Sequence, residues 1–146
     1  MKAKIDTKRI ISGTFGECWL DNKQLTSTKG MEAKVDIDKE EIKLCGQIMT
    51  TYKMIGATGK GSITLYKIST LFGEYVEKML NEGKEFKVTI ISKLQDPDSY
   101  GSERIALYGC MFDDLTLADW EAAKVGEIEV PFTFEGFEYL DKIKEK

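Results

Sequence analysis

The sequence predicts a mainly β fold, an antiparallel sandwich or barrel, with one α-helix packed on a side. Several stretches alternate apolar and polar residues with a period of two, which is typical of half-buried strands. Between them, one stretch carries apolar residues at i, i+3, i+4, i+7 and i+8, the spacing of a helix stripe. The order is strands, then helix, then strands, with no internal repeat or linker, and it predicts one domain over residues 1–146.

The first half of the chain contains a basic arm, strands and a glycine-rich segment. Residues 1–11 are predicted to form a flexible arm, and residues 14–20 a strand that ends in a turn at Asp21-Asn22. Residues 31–38 alternate cleanly, with an inward face predicted to hold Met31, Ala33, Val35 and Ile37. Residues 56–61 resemble a phosphate loop, but a strand at 62–67 follows them where such a loop needs a helix. A bulge or a tight turn into that strand is therefore favoured.

One helix is predicted over residues 69–81. Ser69 or Thr70 can cap its start, and Gly83 suits the left-handed position after its end. Its apolar stripe consists of Ile68, Leu71, Phe72, Tyr75, Val76, Met79 and Leu80. That stripe is expected to pack on the sheet.

The second half of the chain contains four further predicted strands. They cover residues 86–94, 105–112, 115–120 and 126–134, with a polar loop at 95–104. The stretch 105–112 is apolar on both faces, which predicts a central strand. Pro131 cannot donate a ladder hydrogen bond, so the last strand is expected to have a free edge or a bulge there. The charged tail 141–146 is expected to fray.

Composition excludes several classes of protein. A chain of 146 residues can bury about 68–70% of its unfolded surface. Its net charge of −4 is too small and of the wrong sign for gripping nucleic acid by counterion release. The absence of histidine excludes a histidine base, a serine or cysteine triad with histidine, and histidine-ligated zinc. No apolar stretch is long enough to span a membrane.

The cysteines and aspartates point to structural roles. Cys18, Cys45 and Cys110 are odd in number and form no C-x-x-C pair, which suits a reducing cytosol and small core side chains. The segment DPDSYG at 96–101 begins like a calcium loop, but Leu107 stands where a glutamate should close it. A β-turn loop whose aspartate side chains accept hydrogen bonds from backbone N–H groups is therefore favoured there. Asp113, Asp114 and Asp119 are favoured as turn residues rather than an acid–base pair. The sequence therefore predicts no catalytic residue, metal or cofactor, and a protein that is not an enzyme.

Residues 42–54 contain many apolar side chains without a sustained period, which indicates an extension that needs a partner. Unpaired sheet edges also favour association, and closing sheets into a ring removes them. Two other hypotheses stay open at this point. One is a monomeric small β-barrel that binds an apolar ligand. The other is an oligonucleotide-binding barrel, which the acidic balance disfavours.

The order and spacing of several short blocks resemble the tail tube proteins of PBSX-type defective prophages, contractile-tailed phages and related phage-tail-like bacteriocins. The resemblance covers about residues 10–140. The blocks are SGTFG at 12–16 with Trp19, EAKV at 32–35, CG at 45–46 with YK at 52–53, GKG at 59–61, TIISKL at 89–94 with DPD at 96–98 and YG at 100–101, DLTLA at 114–118 with WE at 120–121, and GE at 126–127 with PFTF at 131–134.

The resemblance implies a structural role in a contractile tail or tail-like particle. Such proteins form six-membered rings that stack into a hollow tube, with the helix on the outside under the sheath. The implied partners are further copies of the chain, the tail sheath, the baseplate or tube initiator and a tape-measure protein, with DNA in the lumen held without specific binding. No cofactor and no membrane span are implied, and assembly is expected in the cytoplasm of a bacterial host.

The resemblance also implies that the functional residues lie at interfaces. Residues 42–52 are expected to form an extended hairpin that docks on the adjacent subunit or ring through Ile42, Leu44, Ile48, Met49 and Tyr52. The candidate lumen-facing acidic residues are Glu32, Asp36, Glu127 and Glu129. Their like charge suits a bore through which DNA slides without sticking.

Overall fold

The computed structural model describes residues 4–145, which form eight strands, one α-helix and two short 3-10 turns. No helix within this range is long and apolar enough to cross a membrane. The 3-10 turns are Thr7–Arg9 and Gly13–Phe15, the helix α1 is Leu71–Glu82, and the strands are β1 Gly16–Leu20, β2 Lys23–Gln24, β3 Thr28–Ile42, β4 Thr51–Tyr66, β5 Val88–Leu94, β6 Glu103–Phe112, β7 Glu127–Phe134 and β8 Gly136–Asp141.

Strand β6 joins two antiparallel sheets. One sheet has the order β2-β1-β5-β6-β8, and the other runs β6-β7-β4-β3. The first part of β6 pairs with β5 and β8, whereas Met111 and Phe112 pair with β7. Gly109 lies at the change of sheet with a φ of +64°, a backbone conformation that favours glycine. The predicted antiparallel class and the central position of residues 105–112 are confirmed.

The space between the sheets is filled by side chains from both inner faces. Its fully buried members include Phe132, Leu20, Ile63, Ile90, Val130, Cys18 and Cys110. Alternate residues of β5 and β7 are buried there, which agrees with the strands predicted over residues 86–94 and 126–134. Each large aliphatic side chain removed from water contributes about 1.5–3 kcal/mol, so this core is the main source of stability of the fold.

The helix packs beside β6 through part of its predicted apolar stripe, since Phe72 is buried and Leu71 and Tyr75 pack against the core. Ile68 and Leu80 of the same stripe remain exposed, so the prediction that the whole stripe packs on the sheet is wrong for these two residues. The ring of Phe72 meets that of Phe112 edge-on, with 5.3 Å between centroids.

The helix begins two residues later than predicted, after Thr70, whose side chain makes no capping hydrogen bond. It ends at Glu82, and Gly83 adopts a φ of 65° and donates its N–H to the carbonyl of Met79.

The glycine-rich segment 56–61 lies inside β4, so the prediction of a turn into the strand is wrong. A bulge does occur at the neighbouring Ile55, where the register with β3 shifts. Gly59 and Gly61 lie directly under the rings of Phe134 and Phe132, where an added Cβ would approach ring atoms to 2.5 and 2.6 Å. These glycines serve close packing of β4 against β7 rather than a change of direction.

Three further expectations need correction. Residues 115–120 form no regular structure, because they cross from β6 to β7 over the helix with most side chains exposed. The strands β2 and β8 were missed; β8 occupies residues 136–141 and so reaches into the tail predicted to fray. Residues 31–38 do form a strand, but it is not half-buried along its length. Residues 1–3 of the predicted arm and residue 146 lie outside the described residues.

The close approach at Gly61 predicts a loss of stability on Gly61→Ala. The new methyl group would meet the backbone oxygen of Glu32 at 2.5 Å and the ring of Phe132 at 2.6 Å. Overpacking of this kind costs about 1–3 kcal/mol, measured as a lower free energy of unfolding in urea. The matched control is Gly30→Ala on the adjacent strand, where an added Cβ meets nothing within 4 Å. Equal stability of the two variants would contradict this account of the packing.

Candidate assembly surface

The hairpin formed by β3 and β4 extends well beyond the rest of the sheet. Strand β7 pairs with β4 only from Gly59 to Tyr66, and Gly59 lies opposite Val35. Residues 36–58, called the arm below, therefore form a two-stranded ribbon to which no third strand is paired within residues 4–145. Seven strand residues at about 3.3 Å each give the arm a reach of about 20 Å. The loop 43–50 at its end is called the tip.

The five predicted docking residues all lie at or next to the tip. Leu44, Ile48 and Met49 belong to the loop itself; Ile48 is fully exposed and Met49 is 84% exposed. Ile42 and Tyr52 lie on the ladder, opposite Thr51 and Glu41 respectively, and so on opposite faces of the ribbon. The structure thus brings the five residues to one end of one hairpin but not onto one face. Their docking role stays a prediction.

Further apolar side chains on the arm, and Val35 directly before it, were not recognised as candidate interface residues. Val35 and Ile37 are 40% and 56% exposed, and Met54 and Ile55 are also exposed. The alternation of residues 31–38 gave the correct face but not its environment, because periodicity cannot tell whether a layer covers that face. Val35 lies opposite Gly59, at the last pair that β4 makes with β7, and beyond it no third strand is paired with the ribbon within residues 4–145.

The four candidate lumen residues share one face of the sheet β7-β4-β3. Register puts Glu32 opposite Ser62, Asp36 opposite Thr58, Glu129 opposite Thr64 and Glu127 opposite Tyr66, all on the face away from the core. This face carries more acidic residues than lysines. Two of its lysines, Lys34 and Lys60, lie opposite each other on β3 and β4. Lys29 Nζ donates to Glu127 Oε1 at 2.9 Å, and this hydrogen bond raises the pKa of Lys29. The lumen role of this face stays a prediction.

The three cysteines lie in two different environments. Cys18 and Cys110 are core side chains, and burial raises their pKa values to about 12 and about 11 respectively. Cys45 lies in the tip and is exposed, so its prediction as a core residue is wrong. Its apolar neighbours Leu44 and Ile48 are themselves exposed, which sequence composition alone does not reveal. No group of three or more cysteine, aspartate or glutamate side chains in residues 4–145 could hold a metal ion.

The loop 95–102 is organised by Asp96, the buried acidic residue of the fold. Its carboxylate accepts hydrogen bonds from the backbone N–H groups of Ser12 and Asp98, both at 2.9 Å. Arg9 adds a contact by donating to the carbonyl of Asp98 at 3.1 Å. The predicted turn role of these aspartates is confirmed, and it also fixes the segment that precedes β1.

Comparison with known proteins gives consistent matches over the whole fold. The profile of a family described as phage tail tube protein matches residues 3–141. The phage-like element PBSX protein XkdM of Bacillus subtilis (strain 168) is 33% identical over 143 residues, covering 97% of both chains.

Two solved structures have the same fold at low sequence identity. A chain of the sheath–tube complex of an extracellular contractile injection system in its extended state superimposes with a TM-score of 0.72 at 9% identity, covering 94% of this chain and 98% of the other. A chain of the six-fold symmetrised baseplate of the anti-feeding prophage gives a TM-score of 0.59 at 9% identity, with coverage of 86% and 90%.

The two classes of cysteine predict selective thiol chemistry. In the folded protein at pH 8, Cys45 reacts with a maleimide, whereas Cys18 and Cys110 react only after denaturation. Folding raises the pKa of both buried thiols above 9.0, so the unfolded chain loses protons that the folded chain keeps. The free energy of unfolding should therefore fall as the pH rises from 9 toward about 12. Mass spectrometry of the native protein after maleimide treatment checks that Cys45 alone is modified. Modification of all three thiols in the native protein would contradict this prediction.

Proposed function

The chain belongs to the family of phage tail tube proteins, and on that premise we propose that it is the subunit of the inner tube of a contractile phage tail or phage-tail-like particle. In this proposal, six copies form a ring and rings stack into a hollow conduit across the target cell envelope. The sheath surrounds the tube, the baseplate or tube initiator starts it, and a tape-measure protein and DNA occupy its lumen.

The arm is the observation that carries the assembly part of the proposal. A two-stranded ribbon is at best marginally stable in water, and this one exposes apolar side chains on its ladder and at its tip. Burying each of Ile48 and Met49 fully would contribute about 1.5–3 kcal/mol. A partner that accepts the arm therefore gains stability from surface that an isolated subunit leaves in water.

Two proteins of similar fold come from assemblies that agree with a symmetric tube. One neighbour is part of a sheath–tube complex, and another comes from a baseplate that was six-fold symmetrised. Repetition of one subunit around a six-fold axis also removes the free sheet edges that β2, β3 and β8 leave in a single chain.

The alternative of a monomeric barrel that holds an apolar ligand receives less support. Phe132, Ile63 and Val130 fill the space between the sheets and are fully buried. A ligand-binding barrel of this size would need an interior cavity in that position. The apolar surface that this fold leaves open instead lies on its outside, along the arm and beside α1.

Substitution at the tip is predicted to block tube formation without unfolding the subunit. Ile48→Asp and Met49→Asp each put a charge where the proposal buries an apolar side chain. Losing at least about 1.4 kcal/mol per contact raises the protein concentration needed for assembly at least about tenfold. Negative-stain microscopy and sedimentation check this, with circular dichroism as the test of folding.

The matched control for the tip is Val125→Asp, at a position 76% exposed in a different loop. This variant should assemble like the unmodified protein. Normal tubes from both tip variants would show that the tip does not dock.

Charge reversal on the acidic face is predicted to make the tube retain DNA. Tubes of Glu32→Lys/Glu129→Lys should bind double-stranded DNA, and each phosphate neutralised should add about 0.9 to the slope of log affinity against log salt. Unmodified tubes should not bind, and Glu138→Lys on β8 serves as the control. Equal DNA binding by tubes of the control variant would contradict a lumen position for Glu32 and Glu129.

A further inference from the structure

The chain before β1, residues 4–15, is called the strap below. It contains the two short 3-10 turns, and none of its residues is buried. Its internal hydrogen bonds are local: the N–H of Arg9 donates to the carbonyl of Asp6, and the N–H of Phe15 donates to the carbonyl of Ser12. A segment with so few buried contacts opens at a lower free energy than the core does. The polar contacts between the strap and the rest of the chain therefore decide whether it stays in place.

The loop 95–102 supplies those contacts. The backbone N–H of Ser12 donates to Asp96 Oδ2 at 2.9 Å, and Arg9 Nη1 donates to the carbonyl of Asp98 at 3.1 Å. The guanidinium of Arg9 also lies over the ring of Tyr100, 5.1 Å from its centroid, which is a cation–π geometry. A single loop thus holds the strap through one carboxylate, one carbonyl and one aromatic ring.

The carboxylate of Asp96 stabilises the loop and the strap together. Asp96 is 8% exposed. Its Oδ1 accepts the N–H of Asp98 at 2.9 Å and so shapes the loop, whereas its Oδ2 accepts the N–H of Ser12 and so holds the strap. A hydrogen bond to an ionised acceptor is about twice as strong as one between neutral groups. Opening the strap removes the donor from Oδ2, and the loss of a partner is costly for a buried acceptor.

We propose that the strap is a separate two-state element of this fold and that Asp96 is its latch. In the closed state, the strap lies on the loop 95–102. In the open state, residues 4–15 leave the loop while both sheets stay folded. The strap turns about the start of β1, where the N–H of Gln95 donates to the carbonyl of Phe15 over a long 3.4 Å. This inference concerns the single subunit and does not rest on the tube function.

Opening of the strap changes what a protease can reach. In the closed state, the side chain of Arg9 is bound to the loop, and the peptide bonds after Lys8 and Arg9 lie inside a 3-10 turn and at its end. Proteases cleave mobile segments that can extend, so trypsin should act here on the open state. When opening and closing are faster than cleavage, the cleavage rate reports the population of the open strap.

The test compares Asp96→Asn with Asp98→Asn. Both variants replace a carboxylate by an amide in the same loop, but Asp98 is exposed and contacts its partners through its backbone groups. An amide has one oxygen where a carboxylate has two, so Asp96→Asn cannot accept both N–H groups. We expect its strap amides to exchange hydrogen at least about tenfold faster than those of Asp98→Asn, the factor for losing one hydrogen bond to a charged acceptor. Cleavage after Lys8 or Arg9 should rise by a similar factor.

Hydrogen exchange is followed by mass spectrometry on the full-length protein, with the strap and β7 read from the same sample. All variants are compared in the same state of assembly, which sedimentation checks. Exchange in β7 should not change, because the strap opens while the core stays folded. Arg9→Gln is a second variant that leaves the loop and Asp96 intact and weakens the closed state from the side of the strap. It should speed exchange of the strap about three- to tenfold.

Three results would overturn the inference. Equal strap exchange in Asp96→Asn and Asp98→Asn would show that Asp96 is not the latch. Loss of protection in the strap and in β7 together, in both Asp96→Asn and Arg9→Gln, would show that the strap does not open separately. Strap amides that exchange as fast as an unfolded peptide in the unmodified protein would show that there is no closed state.

Discussion

The structure depends on one constraint, which is that the hairpin β3-β4 continues past the end of β7. From Gly59 to Tyr66, β4 pairs with a strand on each side and packs on the core. Beyond Gly59 the ribbon keeps its own ladder but loses its third strand, and its apolar face loses its cover. Two strands alone are marginally stable in water. The arm is therefore the part of the fold whose stability gains most from a partner, and its exposed residues follow from this one difference in strand length.

The root of the arm explains why it projects in a fixed direction. Gly59 and Gly61 let the rings of Phe134 and Phe132 lie directly on the β4 backbone, so the hairpin is clamped to β7 where it leaves the sheet. A bulge at Ile55 then adds local twist. A clamped root lowers the conformational entropy that docking would otherwise cost, because the arm is already extended in the unbound subunit.

Sequence patterns predicted those parts of the fold whose environment is local. The helix stripe and the alternation in β5 and β7 gave correct elements, since the core covers these faces. Membership of a family of structural proteins also confirms that the chain is not an enzyme. The prediction failed where tertiary context decides. Val35 and Ile37 alternate like buried residues although both are exposed, Gly59 and Gly61 resemble the entry to a strand although they lie inside one, and Cys45 resembles a core residue although it is exposed. The apolar groove between α1 and residues 115–117 left no sequence signal, because two segments that are distant in sequence form it together.

The charge of the subunit sets a further condition on assembly. Under the proposed six-fold arrangement, the face with Glu32, Asp36, Glu127 and Glu129 repeats around one channel, and like charges brought together repel. Salt screens this repulsion, with a Debye length of about 8 Å at physiological ionic strength. Burial of the exposed apolar side chains of the arm must outweigh what remains. A lumen acidic enough to release DNA thus requires a strong apolar contact elsewhere in the ring, and the uncovered tip is the part of the chain that can supply it.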